Sequence, residues 1–193
     1  MNSKGLISLL KGHRTFQSIT EIESLEKSNT NAWFPGALKS LFVTALSETL
    51  NVPIVLINPK PELAYSLYQE ILFWSRSELP VLFFSELDVL PFERLTPDQT
   101  TTTTRLRVLE SLSDWKKGLP APIVVASLTG IMQKTLDMDV FKSASKTVFT
   151  GENVELRSII SSCIGMGYQM ENIVEMPGSV TRRGGILDVF PPC

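Results

Sequence analysis

Ile54-Val55-Leu56-Ile57, Val81-Leu82-Phe83-Phe84 and Ile123-Val124-Val125-Ala126 are three short runs that stay apolar at every position. A strand with one wet face alternates apolar and polar residues. A strand inside a parallel sheet is covered by helices on both faces and therefore reads as an unbroken apolar run. Between the first two runs, Pro61 to Trp74 puts Leu63, Leu67, Ile71 and Trp74 on one side of a helix and opens with proline near the first helical position. Between the second and third, a helix from about Arg105 to Trp115 has Leu106, Leu109 and Leu112 as its buried stripe, with Gly118 ending the element. Upstream, Ala37 to Leu50 repeats Leu38, Phe42, Leu46 and Leu50 on one helical face, with Pro35 at or just before the first turn, where a missing N–H costs nothing. Helix alternating with strand in this way specifies an α/β layer with a parallel sheet and right-handed crossovers.

Working outward, residues 1–30 read as a helical lead-in closed by the polar stretch Lys27 to Asn31, and residues 31–144 as the α/β domain. Thr100 to Thr104, five threonines in a row, reads as a solvated loop whose last member caps the helix behind it. From residue 145 to 193 the pattern changes to a small α+β domain. Thr147-Val148-Phe149 is expected as a short strand and Gly151 as a turn. Val154 to Ile164 is expected as a helix burying Leu156, Ile159, Ile160 and Cys163, with Gly165 and Gly167 at its end. Two further strands are expected at Asn172 to Met176 and Gly185 to Phe190, joined through Pro177-Gly178 and Arg182-Arg183. So few strands make an incomplete sheet, which predicts a fragment of a longer protein, truncated in its second domain and carrying an exposed edge prone to self-association.

Composition narrows the function. The chain has 193 residues, 43% hydrophobic and 20% charged, with a net charge of −2, which is globular and lacks the basic footprint of phosphate-dominated nucleic-acid binding. A single histidine, His13, and two cysteines, Cys163 and Cys193, provide no catalytic triad, no CxxC zinc spacing and no disulfide framework. Cys163 sits in an apolar helical pattern as inert core. No run of 18 apolar residues occurs, and the expected location is cytoplasmic. No metal ligand set and no cofactor are expected.

One segment touches on nucleotide chemistry. Gly36-Ala37-Leu38-Lys39-Ser40 ends in the Lys-Ser pair of a phosphate loop, but that loop needs a glycine directly before the lysine, so that the backbone can aim its N–H groups at phosphate. Leu38 occupies that position, and Trp33 stands where the first glycine belongs. No strand precedes the segment. The apolar runs are followed by Asn58, Ser85 and Ser127 where a magnesium-holding aspartate would stand, and Glu86 and Asp88 read as loop or capping residues. Gly36, Lys39 and Ser40 therefore mark a degenerate phosphate loop.

Leu90-Pro91-Phe92-Glu93, Pro97, Arg105-Leu106, Gly167-Tyr168, Pro177-Gly178 and Arg183-Gly184-Gly185-Ile186-Leu187-Asp188-Val189-Phe190-Pro191 occur in an order and spacing that resembles the N-terminal region of the bacterial transcription-repair coupling factors (Mfd). The resemblance runs from about Asn31 to Pro192. It implies a UvrB-like, degenerate P-loop-NTPase-like α/β domain followed by a small domain that docks UvrA, in a non-catalytic adaptor that recruits UvrA for transcription-coupled nucleotide excision repair. The DNA-engaging β-hairpin of UvrB is missing from the link of twenty residues between Phe84 and Arg105. In the family, the ATP-driven DNA translocase and the contacts to RNA polymerase and double-stranded DNA belong to downstream domains. The family's docking arginine maps onto Arg183, with Arg182 and Gly184 beside it. Guanidinium supplies a planar fork of donors for a carboxylate, and the glycines at 184 and 185 leave the neighbouring backbone open to a partner. Two departures stand out: Ser179-Val180 replaces an acidic residue and an aromatic, and the family's later strands, with a further arginine and aromatic, are absent. The alternative functions are an ATP-binding helicase-like domain using Lys39 and Ser40, or an autoinhibitory surface packing on the parent protein's motor domains.

Overall fold

The computed structural model describes residues 3–20, 31–75, 79–87 and 98–192. The motif residues 90–93 and Pro97, together with Asp88 and Cys193, lie outside them. Two compact units divide the chain: Met1–Glu86 with Asp114–Gln133, and Leu87–Ser113 with Lys134–Cys193.

The first unit carries a parallel sheet of β1 (Ile54–Asn58), β2 (Val81–Phe84) and β3 (Ile123–Ser127) in the order β1-β3-β2. The three apolar runs are its strands. β3 is buried at all five positions, as a central strand must be. Backbone bonds set the register: Ile54 N–H donates to Pro122 O at 3.0 Å and Ile123 N–H to Pro80 O at 2.9 Å. β1 differs from expectation. Its burial alternates, with Val55 49% and Ile57 53% exposed, because among the described residues it is an edge strand covered on one face.

Helix α1 (Ser3–Lys11) and α2 (Arg14–Thr20) form the described part of the lead-in. α3 (Lys39–Leu50) follows a 3₁₀ turn at Gly36–Leu38, and α4 (Pro61–Ser75) connects β1 to β2. α3 is buried almost all round from Ser40 to Ser47 instead of along one stripe. Its Val43 joins Ala64 and Ile71 of α4 and Val81, Ile123 and Val125 of the sheet. Leu41, Phe42 and Ala45 join Ile7 of α1 and Phe16 of α2, with the Phe16 and Phe42 rings edge to face at 5.5 Å. The lead-in helices thus supply half of the core around α3. Leu38 lies before the helix proper and is exposed. On α4 the buried stripe runs through Ala64, Ile71 and Ser75, so Leu63 faces out. Asn51 closes α3 in the left-handed region (φ 46°), donates its N–H to Ser47 O, and accepts from Ala121 N–H on Oδ1 at 3.0 Å. One residue thereby ends a helix and pins the entry to β3.

At the C-terminal end of β3, Ser127 caps the short helix α6 (Leu128–Met132). Its Oγ accepts from Gly130 N–H at 2.9 Å and donates to Glu86 Oε1 at 2.6 Å, which gives Glu86 a capping role.

The second unit begins with α5 (Gln99–Asp114), and the threonine tract lies inside it, not in a loop before it. Threonine at a helix start can turn its hydroxyl back onto the preceding turn, as Thr104 Oγ1 does toward Thr101 O at 2.8 Å, while Thr102 N–H reaches Asp98 O at 3.0 Å. The buried face of α5 is Arg105, Val108 and Leu109; Leu106 and Leu112 are only partly covered. Desolvation pushes the Arg105 guanidinium pKa down from its ordinary value. The helix ends at Asp114, ahead of Gly118, which instead turns the following loop with φ 103°.

α7 (Met138–Ala144) and α8 (Leu156–Gly165) follow. The expected strand at Thr147–Phe149 is loop, with Phe149 70% exposed and, among the described residues, no strand paired with it. α8 buries Cys163, whose thiol burial pushes upward in pKa, and stops where Gly167 turns left-handed (φ 93°), with Gly167 N–H on Ile164 O and Tyr168 N–H on Cys163 O, each at 2.9 Å. The sheet is β4 (Gln169–Met170), β5 (Ser179–Arg183) and β6 (Ile186–Phe190), with β4 parallel and β6 antiparallel to β5. Asn172 to Met176 is therefore loop, and Arg182-Arg183 is the end of a strand, not a connection. The centre of the sheet is Ser179-Val180-Thr181, all buried, with two β-branched residues suited to the pleat.

Replacing Ile71, fully buried between α3 and the sheet, with alanine is expected to lower unfolding free energy by about 2 to 5 kcal/mol in urea titration, against less than about 0.5 kcal/mol for Phe73→Ala on the same helix's exposed side. Gly184→Ala, at φ 62°, is expected to cost about 1 kcal/mol because alanine is strained in that region.

Candidate functional site

Two sequence-selected places can be compared in the structure. In the first, Pro35 is extended (φ −54°, ψ 140°) and the chain then winds directly into the 3₁₀ turn. Leu38 N–H donates to Pro35 O at 2.9 Å and Lys39 N–H to Gly36 O, so amides that a phosphate loop would hold free are already spent on the chain itself. A nest of converging N–H groups needs alternating right- and left-handed residues. No residue from 31 to 40 has positive φ. Lys39 is exposed and Ser40 is 1% exposed, so the pair does not face one space; the Ser40 hydroxyl is buried without a hydrogen-bond partner. Cavities of about 530 Å³, beside Lys11, Ser47 and Glu48, and about 340 Å³, beside Glu171, Glu175 and Met176, involve neither Gly36, Lys39 nor Ser40. Among the described residues no group of three or more potential metal ligands occurs.

In the second place, the β5–β6 hairpin, the register pairs Thr181 with Asp188, Arg182 with Leu187 and Arg183 with Ile186, leaving Gly184-Gly185 as a two-residue turn. Positive φ at Gly184 and not at Gly185 suits the tight hairpin turn that starts with glycine. Residues opposite each other in an antiparallel pair share a face. Arg183 therefore stands with Ile186, Asp188 and Phe190, and Arg182 with Leu187 and Val189 on the other face. The Arg183 side chain is 61% exposed, and its Nε lies 3.9 Å from Asp188 Oδ2, a loose diagonal pair that leaves most of the guanidinium fork available. Arg182 is partly occupied: its Nε donates to Gly184 O at 2.9 Å, bracing the turn.

The hairpin thus separates the three residues the sequence singled out. Arg183 projects a charge, Arg182 stiffens the loop, and Gly184 permits the turn. The sequence reading missed Ile186, 64% exposed and opposite Arg183, and Phe190, 41% exposed at the far end of the same face. The two-residue alternation of Ile186, Asp188 and Phe190 was the available signal. The Ser179-Val180 departure falls at buried positions inside β5, where a small hydroxyl and a β-branched residue fill the sheet's interior.

No family model matches the chain. A relative from Myxococcus xanthus is 28% identical over 188 residues, covering 94% of this chain and 15% of its own length. One from Bacillus subtilis is 28% identical over 167 residues, covering 86% and 14%. One from Staphylococcus aureus is 23% identical over 186 residues, covering 96% and 15%. Each is named transcription-repair-coupling factor, and the chain spans about 15% of their length. The resemblance read from the motifs is thereby borne out: over some 90% of its residues the chain is similar to proteins named transcription-repair-coupling factor, at 23 to 28% identity.

Proposed function

We propose that this chain is a segment of a transcription-repair coupling factor that works by docking a protein partner, and that the partner is UvrA, met by the face of the β5–β6 hairpin carrying Arg183. The observation that carries the reading is the composition of that face. An exposed guanidinium at the turn end stands opposite an exposed isoleucine, and an exposed phenylalanine lies at the far end of the same face; arginine and aromatic side chains are enriched at protein interfaces. A carboxylate on the partner would displace Asp188, whose contact with Arg183 is too long and too exposed to compete. On this reading the α/β unit is a UvrB-like, P-loop-like scaffold without catalysis. The spent amides of Leu38 and Lys39 and the all-negative φ values of residues 33–40 support the absence of a working phosphate loop.

The alternative of ATP binding at Lys39 and Ser40 has only the Lys-Ser pair in its favour. Recruitment for excision repair, and contacts with RNA polymerase and DNA made by other parts of a longer protein, complete the proposal.

Arg183→Ala is expected to weaken UvrA binding by a factor of about 30 or more, corresponding to about 2 kcal/mol, in a titration monitored by biolayer interferometry. Arg183→Lys should fail to restore it, because an ammonium does not reproduce the bidentate fork. Thermal stability should be unchanged by either variant, since the pair with Asp188 is exposed. Unaltered affinity in both variants would remove Arg183 from the surface.

A further inference from the structure

Given docking through Arg183, the reading on which this rests, we infer that Asp188 is a selectivity-determining residue of the hairpin face. Its carboxylate cancels the reach of the Arg183 charge, so the face accepts a carboxylate that sits directly on the guanidinium and is not drawn toward diffuse acidity. Of Ser179, Thr181, Arg183, Ile186, Asp188 and Phe190, which the register places on one face, only Arg183 and Asp188 carry charge, and their signs are opposite. That set of side chains is neutral as a whole.

The fold gives Asp188 no other task. Among the described residues its carboxylate accepts no hydrogen bond, and its one ion pair is the 3.9 Å contact with Arg183 Nε. A carboxylate that caps a helix or braces a turn would have a partner for each oxygen; here an isosteric amide would serve the fold equally well. The side chain is 46% exposed, so its charge acts on whatever meets the face. Thr181, directly opposite, is buried.

Two opposite charges this close act at a distance as a dipole, whose field dies away faster than that of a lone guanidinium. Ionic screening, with a length of about 8 Å at physiological salt, removes most of what remains beyond contact range. At contact the balance changes. The partner's carboxylate accepts charge-assisted hydrogen bonds from the guanidinium, which are directional and about twice as strong as neutral ones. Asp188, displaced from Arg183, then lies beside that carboxylate with the same sign. An acid seated squarely on the fork gains enough to overcome the repulsion, whereas a loose acidic surface meets the repulsion without the bonds. A built-in unfavourable contact of this kind is how an interface discriminates among partners.

Association and dissociation rates of UvrA on the 193-residue chain, measured by biolayer interferometry from about 20 to about 300 mM salt, test the role of Asp188. Asp188→Asn leaves the face with one net positive charge. Its association rate should rise about threefold at the low-salt end and lose that gain at the high-salt end, since a charge at the rim of an interface acts mainly on association and its salt dependence. Glu110→Gln, exposed on α5, makes the same change in net charge away from the hairpin and should leave both rates as they are. The melting temperature of Asp188→Asn should match that of the unaltered chain. An association rate in Asp188→Asn that is unchanged or lower, a gain equally present in Glu110→Gln, or a lowered melting temperature would overturn the inference, and a continued loss of binding in Arg183→Ala would leave the docking reading standing. UvrA binding that is absent, or indifferent to Arg183→Ala, would sink the docking reading and the role of Asp188 with it.

Discussion

The first unit depends on the complete burial of β3. A strand with five buried positions must have its backbone bonded on both edges and its side chains covered on both faces. β1 and β2 take the two edges. α4 lies against all three strands, and α3 packs on α4. α3 is itself too apolar to leave a face in water, so α1 and α2 close over Leu41, Phe42 and Ala45. The apparently separate lead-in is thus drawn into the core by a chain of burial requirements that begins at Ile123 to Ser127.

Burial also bears on function. Winding residues 36–38 as a 3₁₀ turn engages the Leu38 and Lys39 amides internally, and Ser40 is turned inward, which lets the start of α3 pack as ordinary core. A phosphate cradle makes the opposite demand, holding amides unsatisfied until the ligand arrives. In the second unit, the glycine turn at 184–185 lets two strands present Arg183, Ile186 and Phe190 on one face with little freedom to lose on binding, which favours recognition of a preformed partner surface.

Sequence was most legible where one physical signal dominated. Three continuous apolar runs signal strands of a parallel sheet, and all three are strands, although β1 is covered on one face only among the described residues. Pro35, Pro61 and Gly167 punctuate helices as their backbone preferences require. Legibility failed where tertiary context outweighed local pattern. The threonines of 100–104 favour extended backbone in isolation, yet lie in a helix, where the Thr104 hydroxyl bonds the preceding turn. Val148 and Phe149 have strand-forming side chains but pair with no strand among the described residues. The central strand Ser179 to Arg183 was hidden because its polar residues suggested a loop, although Ser179 and Thr181 are buried beside Val180. For the candidate site, the arginine and the glycines were visible as a motif; the apolar flank was not, because it exists only once the hairpin register is set.

The account rests on recognition of a protein in place of nucleotide chemistry, and isothermal titration calorimetry of the intact chain compares the two most directly. Titration with UvrA should give saturable heat, and millimolar Mg-ATP should give none. Saturable heat with Mg-ATP that disappears in Lys39→Ala, with no response to UvrA, would contradict it.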